Sequence, residues 1–189
     1  MDEAGAIYAE ALSYAARAHL GQVRKGTLVP YITHPVAVSE LVVRHGGDEE
    51  QAAAALLHDV VEDCGSQHLV VIRDRFGERV AAVVEGCTDG VKGPDGLKPA
   101  WRERKEAYLR HLSEAGEDVL IVSACDKLHN ARCIVADAEA GEDVFARFNA
   151  RREGTMWYYG ALADTFRARL GSLPLTRELD HVVARMQRA

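Results

Sequence analysis

Apolar residues recur along this chain at helical spacing nearly throughout. Residues 4–20 place Ile7, Ala11, Leu12, Ala15 and Ala18 on one stripe and stop at Gly21. In "THPVAVSELVVRHGG", Thr33 is the expected N-cap and Pro35 falls in the first turn. Leu41 and Val42 face inward there, and Gly46 with Gly47 supplies the stop. The segment "DEEQAAAALLHDVVEDCG" opens on a capping-box pair, Asp48 and Gln51, and ends at Gly65. Its middle is apolar on every side, which predicts one helix running through the core.

Ser66 starts "SQHLVVIRDRFG", and "ERVAAVVEGC" follows after Gly77. Residues 88–99, "TDGVKGPDGLKP", concentrate the turn formers and read as an exposed loop. Pro99 opens the helix "AWRERKEAYLRHLSEAG", and further helices are expected around 142–152, 155–170 and 175–188. The short apolar run "VLIVSA" (119–124) is compatible with a buried strand, but it continues without a breaker into "CDKLHNARCIV", which favours a helix. No repeat, low-complexity tract or long linker divides the chain. The expected fold class is all-α, with residues 1–189 as a single domain.

Composition narrows the function classes. The 189 residues suit one sizeable core, and 48% hydrophobic with 28% charged content is ordinary for a globular protein. A net charge of −6 argues against a general nucleic-acid binder while leaving room for a local basic pocket. Cys64, Cys87, Cys125 and Cys133 are scattered without a CxxC pair, which points to a reducing cytoplasmic setting. The acidic start "MDEAGAIYAE" is unlike a signal peptide, and no window approaches about 18 uninterrupted apolar residues, so no membrane association is expected.

Four ionisable residues interrupt the most apolar helix. In "ALLHDVVED", helical spacing sets His58 over Glu62 and Asp59 over Asp63, so a His-Asp pair and a Glu-Asp pair face one region. Imidazole and carboxylate suit a metal, and a neighbouring carboxylate suits the proton of an attacking water. His34, in "YITHP", and Asp126, after "VLIVSAC", occupy similar apolar settings. His34, His58, Asp59 and Asp126 make a two-nitrogen, two-oxygen set fit for Mn, Fe or Zn, with Mn favoured. Plainer roles exist for each residue. His34 can help cap its helix, Asp126 can pair with Lys127 or Arg132, and Glu62 with Asp63 can form a solvated helix end. His19, His45, His68, His111 and His181 lack such company and read as surface or core residues.

The segments "AHLGQVRKGTLVPYITHP", "AALLHDVVEDCG" and "ACDKLHNAR" together resemble, in order, the signature segments of the HD-domain hydrolases. The closest likeness is to the hydrolase domain of the RelA/SpoT family, whose stand-alone versions are small alarmone hydrolases. The resemblance spans about residues 8–170 and implies an all-helical HD-domain bundle with one central metal cleft. It implies a Mn2+-dependent hydrolase (other divalent metals being possible) that removes the 3′-pyrophosphate from pppGpp and ppGpp. By motif position, His34, His58, Asp59 and Asp126 match the metal ligands, and Glu62 and Asp63 match the acidic pair that serves the water. Arg24 and Lys25 match the basic pair near the nucleotide, and Asn130 and Arg132 match polar residues of its pocket. Charge-assisted contacts of this kind are what a strongly anionic nucleotide demands.

This chain also departs from the family pattern. The stretch between the basic pair and the Pro-Tyr-Ile segment is one residue longer than usual, which leaves guanine and adenine alarmones (the latter ppApp-type) both open. Asp89 stands where many members carry lysine, with Lys92 or Lys98 as possible replacements. Arg104 and Lys105, in "WRERKEAYLRHL", are candidate phosphate contacts, or else part of a solvated helix face. Trp157, Tyr158 and Tyr159 fit core packing better than base stacking. The chain is too short for the synthetase and regulatory domains of the long members, so degradation of alarmone without synthesis is expected. The alternatives are an HD phosphohydrolase of ordinary nucleotides, such as a 5′-nucleotidase or dNTP hydrolase, and a non-catalytic nucleotide sensor. The partner expected in each case is a small nucleotide.

Overall fold

Asp48 performs the capping expected of it. Its side chain accepts from the Gln51 backbone N–H at 2.9 Å, while Gln51 Oε1 accepts from the Asp48 N–H at 2.8 Å. The helix it starts, α3 (Glu49–Leu57), is the axis of the molecule. The computed structural model describes residues 5–90 and 99–188, and these are helical apart from turns and one isolated antiparallel bridge. In chain order the helices are α1 (Ala6–Ala18), α2 (Thr33–Arg44), α3 (Glu49–Leu57), α4 (Val60–Cys64) and α5 (His68–Cys87). They continue as α6 (Trp101–Glu114), α7 (Glu117–Glu139), α8 (Arg151–Leu170) and α9 (Pro174–Met186), with a 3-10 turn at Val144–Arg147. Lys92, Lys98 and most of the 88–99 loop lie outside the described residues.

Every residue of α3 from Gln51 to Leu57 is buried. Its four consecutive alanines, Ala52 to Ala55, let α1, α2, α5 and α7 approach closely on all sides. Helix α7 is the second internal element, burying Leu120, Val122, Ala124, Cys125, Leu128 and Ala131 against α2, α5 and α9. The run at 119–124 is therefore helical, and the all-α expectation holds. Helix α5 bends where the sequence divides it: Gly77 adopts φ 89° and ψ 167°, a conformation that favours glycine.

Three local expectations are corrected. The segment 48–65 is two helices, not one, and the break falls at His58 and Asp59. There the His58 Nδ1–H donates to the Ala55 carbonyl at 2.7 Å, a bond back onto the last turn of α3. Thr33 does not cap α2; it is the first helical residue, and its hydroxyl donates to the Pro30 carbonyl at 2.8 Å. The helix expected at 142–152 is only the 3-10 turn, and α8 runs unbroken from Arg151 through Gly154. Gly154 serves close packing, since a Cβ there would lie 2.7 Å from the Ala150 Cβ.

The Asp48 cap lies at the opposite end of α3 from His58. Asp48→Ala should therefore cost about 1–2 kcal/mol of stability, seen as a lower denaturant midpoint. Metal affinity of the folded chain should not change. An unaltered midpoint would contradict the role given to this cap.

Candidate metal centre and active site

The break in α3 delivers His58 and Asp59 to the point where α2 brings His34 and α7 brings Asp126. His34 Nε2 lies 3.1 Å from Asp126 Oδ1 and 3.4 Å from Asp59 Oδ2. His58 Nε2 lies 3.1 Å from Asp59 Oδ2 and 3.7 Å from Asp126 Oδ1. Donor atoms of His34, His58 and Asp126 all fall within 4.8 Å of one another. All three of these residues are buried, and Asp59 is half-buried.

Electrostatics explain why this cluster needs a cation. Burial alone would raise both carboxylates, but His58 and His34 hold Asp59 well below the usual range. Lys127 and the same two imidazoles do so for Asp126. Burial likewise disfavours a charged His58, and the Asp59 and Asp126 carboxylates outweigh it, keeping the imidazole protonated well above its ordinary range. Ionised carboxylates thus draw positive charge onto the point between the imidazoles. His58 Nε2 is also buried without a hydrogen-bond partner while its Nδ1 is engaged. An orphaned imidazole nitrogen facing two carboxylates is the donor set of a divalent-metal site.

A second ring of side chains orients these four. Tyr31 Oη donates to Asp59 Oδ2 at 2.6 Å, and burial followed by the charge of Asp59 pushes its phenol far up, so it stays a donor. Asn130 Nδ2 donates to Asp126 Oδ1 at 2.6 Å, and Asn130 Oδ1 accepts from Arg24 at 2.6 Å. Lys127 pairs with Asp126 Oδ2. His129 Nδ1 lies 2.8 Å from His34 Nδ1, and burial, His34 and Arg24 lower its pKa to about 4. Asp63 is pushed up by burial and by the charges of Asp59 and Glu62. A carboxyl so placed suits proton transfer.

Beside this centre opens a cleft of about 560 Å³. Among the described residues, Arg24, Lys25, Lys105, Lys127 and Arg147 line it, against a single carboxylate, Asp137. Arg24 and Lys25 are presented by a tight loop between α1 and α2. That loop is pinned by the Val23–Pro30 bridge and by the Arg24 N–H to Val29 carbonyl bond at 2.8 Å. Gly26, at φ 77°, allows the Arg147 side chain to lie directly on the loop.

The residues singled out from sequence divide in three dimensions. His34, His58, Asp59 and Asp126 converge as expected. Glu62 and Asp63 follow on α4, and Glu62 Oε2 accepts from the Asp89 N–H at 3.3 Å. Arg24, Lys25, Asn130 and Lys105 line the cleft. Arg132 does not; it pairs with Glu178 of α9. Arg104 and Lys105 both bind Asp89, so the carboxylate at that position is neutralised from α6. Tyr158 and Tyr159 are buried and also line the cleft, while Trp157 carries the Arg102 guanidinium 3.3 Å from its ring centroid. Tyr31, His129 and Arg147 were not singled out from sequence. His129 had a legible signal, lying three residues from Asp126 on one face of α7, whereas Tyr31 sits in the turn before α2.

An all-helical bundle with a histidine-aspartate cluster at its centre defines a metal-site class of protein, and comparison with known proteins makes the class specific. The model of the HD domain matches residues 11–156, and the chain belongs to this family. The guanosine-3′,5′-bis(diphosphate) 3′-pyrophosphohydrolase MESH1 of Xenopus tropicalis is 35% identical over 135 residues, covering 70% of this chain and 72% of that protein. A probable enzyme of the same activity from Synechocystis is 37% identical over 132 residues, 69% of this chain but only 17% of the relative's length. The solved structure of a metazoan ortholog of SpoT that hydrolyzes ppGpp superposes with a TM-score of 0.76 at 28% identity, covering 97% of this chain and 96% of that one.

A raised His58 keeps its proton to higher pH than a free imidazole, so an incoming divalent ion must displace it. Metal affinity should fall as pH is lowered below the raised His58 range, because protons then compete for its ring nitrogen. The binding heat should also depend on the ionisation enthalpy of the buffer, as titration calorimetry would show. Affinity and heat independent of pH and buffer would contradict this charge balance.

Proposed function

We propose that this chain is a divalent-metal-dependent 3′-pyrophosphohydrolase of alarmone nucleotides, acting on ppGpp and pppGpp or on their adenine counterparts. One observation carries the reading: a histidine-aspartate metal cluster adjoins a cleft lined by five cations and one carboxylate, in a chain of net charge −6. A small-molecule-sized cleft lined by cations, in a chain that is acidic overall, selects a compact polyanion, not a nucleic acid. The activity named for the Xenopus relative and for the solved metazoan ortholog is of this kind.

His34, His58, Asp59 and Asp126 would hold the cation, and the absence of thiolate from the set favours Mn2+. A divalent cation there supplies Lewis acidity and neutralises charge developing on the phosphoryl group. Arg24, Lys25, Asn130 and Lys105 bind and orient the phosphates, with the two lysines and the arginine meeting the anionic oxygens. Glu62 and Asp63 move the proton. Water adds to the 3′-linked phosphorus, the bond from phosphorus to the 3′-oxygen breaks, and the proton lost by water is returned to that oxygen. Asp63, with its raised pKa, is suited to carry it. Pyrophosphate and a nucleoside 5′-phosphate species leave. Tyr31 holds the Asp59 carboxylate in place throughout.

The cytoplasm is the setting we assign. All four cysteines are free thiols, and no described helix is long and apolar enough to cross a membrane.

Incubation of the Mn2+-supplemented protein with ppGpp and ppApp, followed by nucleotide chromatography, should release pyrophosphate from at least one, and the faster substrate identifies the base. Turnover of ordinary nucleotides alone would reassign the chain to the general HD phosphohydrolases. Nucleotide binding without turnover under any divalent metal would make it a sensor. Glu62→Ala should lower kcat by about 100-fold or more while metal binding survives, whereas His58→Ala should lose both.

A further inference from the structure

The two imidazoles that reach the carboxylate pair are held by different devices. His58 is fixed by a backbone group: its Nδ1–H donates to the Ala55 carbonyl at 2.7 Å, which makes Nε2 the nitrogen directed toward Asp59 and Asp126. His34 has no such carbonyl. Its Nδ1 faces another imidazole, His129 Nδ1, at 2.8 Å, with the rings tilted at 41° and their centroids 4.8 Å apart.

Two facing ring nitrogens at this distance share one proton, and its placement decides what His34 can do. If His129 donates, His34 carries its proton on Nε2 and points it at Asp126, 3.1 Å away, where it closes the site to a cation. If His34 donates, its Nε2 lone pair points at the same carboxylates and the site is open. A histidine that ligates through Nε2 carries its proton on Nδ1, and the group placed to accept that proton from His34 is His129 Nδ1, at 2.8 Å. His129 with its proton on Nε2 has a bare Nδ1, ready to accept.

We propose that His129 is a positioning residue that accepts the His34 Nδ1 proton and so holds His34 in the tautomer able to ligate a metal. It touches the cleft but not the four-residue cluster's carboxylates, and it acts through His34. This rests on the metal-centre reading above. It extends it by naming, on α7 one turn from Asp126, the group that prepares the ligand on α2. Hydrogen-bonded partners behind a metal-bound histidine typically change metal affinity by about 10- to 100-fold when lost.

The test measures Mn2+ binding by electron paramagnetic resonance, in the absence of nucleotide, for the wild type, His34→Ala, His129→Leu and His129→Asn. Leucine fills the space without accepting a hydrogen bond, and the asparagine carbonyl oxygen can take the place of Nδ1. The wild type should bind, His34→Ala should not, His129→Leu should be about 10- to 100-fold weaker, and His129→Asn should recover most of the loss. Equal binding by His129→Leu and wild type, or no recovery in His129→Asn, would overturn the proposal while leaving the metal centre intact. Failure of the wild type to bind would overturn the metal centre and the proposal with it. A measurement on the unmutated chain guards against a variant that fails to fold. Long-range 1H–15N correlation of the Zn2+-loaded protein should place the His129 proton on Nε2, and a proton on His129 Nδ1 would refute the arrangement.

Discussion

Two carboxylates and two imidazoles meet inside this bundle, and the cost of burying them governs what surrounds them. An ion moved from water into a protein interior carries a penalty of several kcal/mol even after relaxation. Asp59 and Asp126 together exceed what hydrogen bonds alone offset, so the structure gathers positive charge and donors around them. Lys127 sits on one oxygen of Asp126 and Asn130 on the other, Tyr31 donates to Asp59, and His58 is drawn to its charged form between them. A divalent cation completes the balance that a single imidazolium proton meets only in part.

The helices are arranged to deliver those groups. The alanine-rich middle of α3 brings α2 and α7 close enough for His34 and Asp126 to reach the end of α3. The helix breaks just there, because the His58 ring takes a carbonyl of the last turn. Asp59 follows at the N-cap of α4, beside both imidazoles, and α4 carries Glu62 and Asp63. The capping box closes the exposed start of α3, its buried run from Gln51 to Leu57 packs the core, and the chemistry sits at the end where its regular bonding stops. The cleft then extends from the cluster along the Arg24–Lys25 loop, which a short bridge keeps from collapsing onto the site.

Much of this was legible along the chain, for identifiable reasons. His58, Asp59, Glu62, Asp63 and Asp126 are conspicuous because they interrupt apolar helices, where an unpaired charge is costly. The helices themselves follow from spacing, down to the kink at Gly77. What escaped has equally physical causes. The break at His58 arises from a side chain capturing a carbonyl, which no periodicity encodes. Arg132 shares a segment with Asn130 but not its face of α7, and it turns to Glu178. His129 shares its helical face with Asp126, yet its role depends on meeting His34 from a helix 95 residues away in sequence. The neutralisation of Asp89 by Arg104 and Lys105 likewise needed the packing of α6 to be known.

Anomalous X-ray diffraction from a Mn2+-loaded crystal shows directly whether the four-residue cluster is a metal centre. One strong anomalous peak is expected within bonding distance of His34, His58, Asp59 and Asp126. A crystal with no peak there, or with its Mn2+ held by another set of residues, would contradict it.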